Sequence, residues 1–60
     1  MQKYEGLKQL VANMEVDVQK FYGGNNAAGT RVRKHLQDVK KACQDMRNEV
    51  QEIRTSRKDA

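Results

Sequence analysis

The sequence contains no proline, and it has only one cysteine, one histidine and three aromatic residues among its 60 positions. Because proline is the strongest helix breaker, its absence leaves the whole chain free to be helical. Cys43 alone cannot form an internal disulfide, and one cysteine with one histidine cannot fill a structural zinc site. No apolar run reaches the length of a membrane span, and the N-terminus lacks the apolar core of a secretory signal. We therefore expect a cytoplasmic protein in a reducing compartment.

Catalytic motifs are also lacking. The sequence has no nucleophile–base pair, no cluster of metal ligands and no phosphate-binding loop, so we expect no enzyme activity, catalytic residue, metal, cofactor or small-molecule substrate. A chain of 60 residues buries too small a share of its surface to be comfortably stable alone. Such scaffolds need disulfides, a metal or an oligomeric partner. Since the first two are excluded, we expect a homo-oligomer.

Hydrophobic residues recur at alternating steps of three and four in two segments, with a composition rich in Lys, Glu, Gln, Arg and Ala. The first series is Tyr4, Leu7, Val11, Met14, Val18 and Phe21, and the second is Val32, Leu36, Val39, Cys43, Met46, Val50 and Ile53. This period of 3.5 predicts coiled-coil helices. Gly23-Gly24-Asn25-Asn26 lies between the two series and predicts a helix stop, a tight turn and an N-cap. The predicted fold class is all-α: an antiparallel α-helical hairpin forming one domain over residues 1–60, with helices near 2–22 and 26–57 and a turn at 23–26.

The two predicted helices differ in length, about 31 Å against about 48 Å. Pairing within the hairpin would leave the last third of the second helix without an intrachain partner. We therefore predict a homodimeric four-helix bundle. Its interface would use residues of the unpaired end together with one residue beside the first series: Leu10, Met46, Val50 and Ile53.

The excess positive charge is concentrated between residues 30 and 41. This stretch has five basic residues and one acid, a net charge of +4 that equals the net charge of the whole chain. The five are Arg31, Arg33, Lys34, Lys40 and Lys41. A basic patch on an otherwise balanced chain is typical of a protein that binds a polyanion. Nucleic acid is the first candidate and an anionic membrane surface the second.

The same stretch begins at the predicted N-terminus of the second helix, where free N–H groups and the helix dipole favour anions. Arg33 and Lys40 form one row at a spacing of seven, and Lys34 and Lys41 form another, both turned away from the hydrophobic series. No glutamate precedes any of these basic residues by four positions, so the i, i+4 Glu–Lys pairs that would neutralise such a face are absent. Candidate DNA contacts are therefore the five basic residues together with Asn25, Asn26 and Thr30.

Cys43 and His35 are two further side chains that could have a function. Cys43 lies in the second hydrophobic series, so we expect a small buried hydrophobe in preference to a redox sensor. His35 lies one turn before Asp38, and we expect a surface histidine paired with that aspartate.

Residues 24–54 resemble the bacterial linker-histone-like family known from chlamydiae. The resemblance is best at Gly24-Asn25, Ala27-Ala28 and Arg31-Val32-Arg33. It is to a small form without the long Lys/Ala-rich tail of the chlamydial members. The resemblance implies sequence-independent DNA binding, compaction of the nucleoid and phosphate contacts by Arg31, Arg33 and Lys34.

Our leading hypothesis is a nucleoid-associated, histone-like protein that binds DNA phosphates without sequence preference. One alternative is a coiled-coil interaction module whose partner is another protein with an acidic groove. Another is a helical hairpin that binds RNA, since small dimeric hairpins can contact structured RNA across two helices. A competition between duplex DNA and duplex RNA would separate the last alternative, because A-form and B-form grooves differ in width and depth.

Overall fold

The computed structural model describes residues 2–57, which form two α-helices packed against each other, α1 (Gln2–Tyr22) and α2 (Asn26–Arg57). No strand occurs within these residues. The hairpin measures 53 × 15 × 13 Å. Neither of its helices has the length and apolar composition needed to cross a membrane. The all-helical, two-helix fold predicted from the spacing of hydrophobic residues is confirmed.

Residues 23–25 reverse the chain in a Schellman motif followed directly by a helix cap. The N–H of Asn25 donates to the carbonyl of Lys20, and the N–H of Gly24 donates to the carbonyl of Phe21, both at 3.0 Å. Gly24 has a φ of 106°, a left-handed conformation that other residues rarely adopt. Asn25 then caps α2, because its Oδ1 accepts a hydrogen bond from the N–H of Ala28 at 3.1 Å. The two glycines and the asparagine therefore account for the antiparallel arrangement.

Ion pairs at both ends of α1 show which parts of the helices lie opposite each other. Asp17 pairs with Arg31 near the turn, and Lys3 lies 3.9 Å from Glu49 at the far end. Since Lys3 is close to the start of α1, α2 projects beyond its neighbour only after about residue 50. Met46 shares a groove with Leu7 of α1. The unpaired end of α2 is thus shorter than the predicted last third and does not include Met46.

The face of α2 that packs on α1 differs from the predicted series. The side chains of α2 that are buried or half-buried against α1 are spaced by four and three positions, as predicted for a coiled coil. They are nevertheless a different set from the predicted one: Ala28, Val32, His35, Val39, Ala42, Met46, Glu49 and Ile53. Leu36, Cys43 and Val50 remain exposed in the hairpin. The prediction that Cys43 is buried is therefore wrong for the single chain. The apolar face of α2 is wider than one neighbouring helix can cover, and α1 lies over the half that contains the small Ala28 and Ala42.

Very little of the hairpin is fully removed from solvent. Within residues 2–57, only Met14 and Ala28 are buried hydrophobic residues, with 9% and 0% of their surface exposed. Large apolar side chains stay exposed on both helices, among them Val11 and Leu36, each at 50%. A core of this size supplies much less apolar burial than an independently stable domain of this length requires.

Candidate nucleic-acid interface

The hairpin has two unlike sides, one on each edge of the contact between α1 and α2. The polar side carries the interhelical ion pairs of Asp17 with Arg31 and of Lys3 with Glu49. The opposite edge, which we call the apolar side, presents Val11, Val18, Leu36, Cys43 and Val50. Val18 and Leu36 line one groove on this edge, and Cys43 and Val50 line a second. The division follows from the helix period, which places these residues on one flank of each helix.

Arg31 belongs to the polar side, and its charge is already paired. Its Nε donates to Oδ1 of Asp17 at 2.9 Å, and Oδ2 of the same carboxylate lies 3.3 Å from Nε2 of His35. The hydrogen bond from Arg31 is the main reason that the pKa of Asp17 lies below its usual value. The expectation that His35 pairs with Asp38 is therefore wrong. The partner is Asp17, which the sequence interpretation missed because it considered only pairs within α2.

Arg33, Lys34, Lys40 and Lys41 are exposed, as is Arg31. Arg33 and Lys40 lie at the margin of the apolar side, where they line a shallow groove with Leu36 and Gln37. Arg31 and Arg33 are two positions apart on a helix, which is about 200° around its axis, so they cannot share one face. The five predicted basic residues therefore do not form one surface: Arg33 and Lys40 are separated from Arg31 by the width of the helix.

The N-terminus of α2 is only partly open to a ligand. The N–H of Ala28 already donates to Asn25, and the side-chain oxygen of Asn25 is used in that bond. Asn26 and Thr30 are exposed and line one groove with Arg33. The structure thus brings Asn26 and Thr30 next to a predicted DNA contact, whereas Asn25 has a structural role.

The four residues predicted to form the oligomer interface differ in their exposure. Leu10, Met46 and Ile53 are half-buried within the hairpin. Val50 has 41% of its surface exposed and lies on the apolar side. Exposed apolar surface available to a second chain is therefore centred on Leu36, Cys43 and Val50, of which only Val50 was among the predicted contacts.

A seven-residue repeat in α2, which the hydrophobic spacing alone did not reveal, explains this surface. Residues 33–39, 40–46 and 47–53 read RKHLQDV, KKACQDM and RNEVQEI. Each unit has a basic residue first, an exposed apolar residue fourth, glutamine fifth, an acid sixth and an inward apolar residue seventh. The first position continues into residue 54 and defines the basic row: Arg33, Lys40, Arg47 and Arg54. Alignment of the chain with itself at a shift of seven would have revealed Arg47 and Arg54 as candidates.

The described part of the chain has neither a cluster of metal ligands nor an unpartnered buried polar side chain. Within residues 2–57, no group of three His, Cys, Asp or Glu side chains could hold a metal ion. In the same range, no buried side-chain nitrogen or oxygen lacks a hydrogen-bond partner. The surface consists of shallow grooves along the helices, and this shape is better suited to an extended polymer than to an enclosed small ligand.

The model of one protein family, described as Histone H1-like protein Hc1, matches residues 1–56. The match therefore spans both helices and the turn between them. No curated protein and no solved structure matches the chain.

Proposed function

The chain belongs to the histone H1-like protein Hc1 family, and we propose that it binds DNA through phosphate contacts without reading base sequence. The family resemblance expected from the sequence is confirmed, and a histone-like family indicates DNA binding. We place the protein with the DNA that it binds, in the nucleoid of a bacterial cell. Its histone-like role there would be to coat or condense the chromosome.

The observation that carries this proposal is the charge on the outward face of α2. Arg33 and Lys40 are exposed, and neither takes part in an ion pair with any side chain in residues 2–57. Unpaired cations on a helix face release condensed counterions when they meet phosphates, which favours binding to any sequence. Within the described range the molecule has two helices and a three-residue turn, with no arm or ribbon to enter a groove beside them. Such a face contacts the backbone and leaves base edges unread.

We also propose that two chains associate through the apolar side. The hairpin buries only two hydrophobic residues within residues 2–57, so it needs another surface to complete its core. A second copy supplies matching apolar surface at the same concentration and would give a four-helix bundle. A dimer would present two basic faces and would join DNA segments.

Salt titration of DNA affinity tests the proposed function. With about six phosphates contacted by a dimer, log K is expected to fall by roughly five units per tenfold rise in salt. AT-rich and GC-rich duplexes of equal length are expected to bind equally under the same conditions, because phosphates are common to both. Arg33→Gln with Lys40→Gln should weaken binding to both duplexes equally and reduce the slope by about 1.8 for each protomer of the dimer, with an unchanged helical circular dichroism spectrum.

Two competitors distinguish this proposal from its alternatives. Duplex RNA that displaces DNA at equal concentration would favour an RNA-binding hairpin, since the protein would then recognise A-form geometry. Anionic vesicles that displace DNA and raise helicity would favour a membrane surface as the target. An affinity that does not depend on salt, or a strong preference for one duplex sequence, contradicts phosphate binding itself.

A further inference from the structure

The basic row extends well beyond the stretch that holds the net charge of the chain. Arg33 and Lys40 lie within residues 30–41, whereas Arg47 and Arg54 lie in the C-terminal segment, residues 42–60, which is neutral overall. Consecutive members are seven residues apart, so they recur about every 10.5 Å along α2 and the row spans about 31 Å. This length is close to the 34 Å or so of one turn of B-DNA.

Three of the four acids of the C-terminal segment lie within the described residues, and none of these three adjoins the basic row. Glu49 faces α1 and pairs with Lys3. Asp45 lines a groove on the polar side with Gly6 and Leu10 of α1. Glu52 is one repeat beyond Asp45 and is therefore on the same side of the helix. Although the net charge of the segment is zero, its basic and acidic side chains lie on different sides of α2.

The side chains three and four residues away on a helix determine whether a basic residue has an acidic neighbour that neutralises its charge. For Lys40 and Arg47 all four such neighbours, at i±3 and i±4, are apolar residues or glutamines, and for Arg33 they are Gly29, Thr30, Leu36 and Gln37. Arg54 has Val50 and Gln51 before it and basic residues after it. Lys41, by contrast, lies between Asp38 and Asp45, three and four residues away. The basic row is therefore the part of α2 where positive charge is least offset.

The surroundings of the row are the same at both of its ends. Arg33 and Lys40 flank Leu36 and Gln37 in one groove, and Arg47 and Arg54 flank Val50 and Gln51 in another. All four basic residues are exposed, and no ion pair within residues 2–57 involves any of them. The glutamines add amide donors beside each cation, and amide donors also contact phosphates and sugars. A ligand that fits the first pair therefore meets the same chemistry at the second.

We propose that the DNA-binding site is the whole basic row, with Arg47 and Arg54 contacting phosphates as Arg33 and Lys40 do, and that Lys34 and Lys41 contribute less. This inference rests on the proposed DNA-binding function and assigns the residues that carry it. The row is at the margin of the apolar side, where long Arg and Lys stems keep their charged ends in water when a second chain covers the apolar residues.

Two double variants of the full chain with equal loss of charge test the proposal. Arg47→Gln with Arg54→Gln removes two cations from the C-terminal half of the row. Lys34→Gln with Lys41→Gln removes two cations from within the charged stretch and outside the row. The salt dependence of binding to a random duplex is measured for both and for the wild type, with circular dichroism as a check on helicity. For each protomer that contacts the duplex, the arginine pair should lower the slope by about 1.8 and the affinity at about 0.1 M salt by roughly 60-fold, and the lysine pair should lower the slope by less than half as much.

A larger effect of the lysine pair, or an unchanged slope for the arginine pair, overturns the inference while leaving DNA binding intact. Absence of salt-dependent DNA binding in the wild type overturns the proposed function, and the inference with it. If the arginine pair lowers helicity, Arg47→Ala with Arg54→Ala decides the matter, because alanine has the highest helix propensity and removes the same two charges. A salt slope that falls by about 1.8 per protomer at wild-type helicity supports a phosphate contact, and an unchanged slope contradicts it.

Discussion

The ring of Phe21 lies directly on the backbone of Gly29. A Cβ atom placed on Gly29 would be 2.7 Å from Cδ1 and 2.9 Å from Cε1 of that ring, distances at which something must move. Phe21 is in the last turn of α1 and Gly29 in the first turns of α2, so this contact closes the hairpin beside its turn. A glycine costs about 1 kcal/mol in a helix interior, and here the close approach of the ring explains its presence.

We expect Gly29→Ala to destabilise the protein in spite of the better helix propensity of alanine. Forcing the ring of Phe21 away from α2 should cost about 1–3 kcal/mol, as overpacking typically does, and this exceeds the gain of about 1 kcal/mol from propensity. Gly6→Ala is the matched control, because nothing lies within 4 Å of a Cβ at that position. It should raise the free energy of unfolding by up to about 1 kcal/mol. Urea unfolding followed by circular dichroism measures both, and equal stabilisation by the two variants would show that the contact with Phe21 is unimportant.

The fold was predictable from the sequence because its determinants are local. Two series of hydrophobic residues at steps of three and four require helices, and two glycines followed by asparagines require a break between them. Gly24 and Asn25 provide the left-handed residue and the cap that the turn uses. These signals depend on neighbouring residues alone, so they can be recognised without knowledge of the packing.

The sequence did not allow us to predict which half of the apolar face of α2 is covered by α1. Val32, Leu36 and Val39 have the same hydrophobic character, yet Leu36 stays exposed in the hairpin. The choice depends on partners from the other helix: Asp17 for His35, and Lys3 for Glu49. Each of these pairs joins residues far apart in sequence, and periodicity along one helix contains no information about them. For the same reason, the pairing of Arg31 was missed although all its participants are visible in the sequence.

Replacement by glutamine should affect protein stability at Arg31 and the salt dependence of DNA binding at Arg33. Arg31→Gln removes the hydrogen bond to Asp17, so it should lower stability and leave the salt slope of DNA binding nearly unchanged. Arg33→Gln removes an exposed cation of the basic row, so it should reduce the slope by about 0.9 per protomer and leave stability nearly unchanged. Urea unfolding and salt titration, applied to both variants, measure the two effects. A slope that falls equally for both would mean that DNA reaches the polar side as well.

Acid should weaken the hairpin through Asp17, whose carboxylate faces both Arg31 and His35. The hydrogen bond from Arg31 lowers the pKa of Asp17 below its ordinary value of 3.8. Stability gained from the ionised carboxylate is therefore complete above that ordinary value and is lost as the pH falls through the lowered value. Asp17→Asn removes this contribution, so the difference in free energy of unfolding between wild type and variant should shrink as the pH falls below about 3.8. A difference that stays constant down to about pH 2 would contradict the assignment.

Cys43 is an internal reporter of self-association, because it lies in the middle of the apolar side and is exposed in the single hairpin. If a second chain covers this side, a thiol reagent should label Cys43 readily at low protein concentration and at least about tenfold more slowly at concentrations where dimers dominate. Val50→Asp places a charge beside Cys43 on the same side and should abolish the protection. Val16→Asp is the matched control, since Val16 has 60% of its surface exposed and lies on the face of α1 turned away from α2, so the protection should persist. Labelling that is independent of concentration, together with a monomeric mass in sedimentation, would show that the apolar side belongs to a different partner.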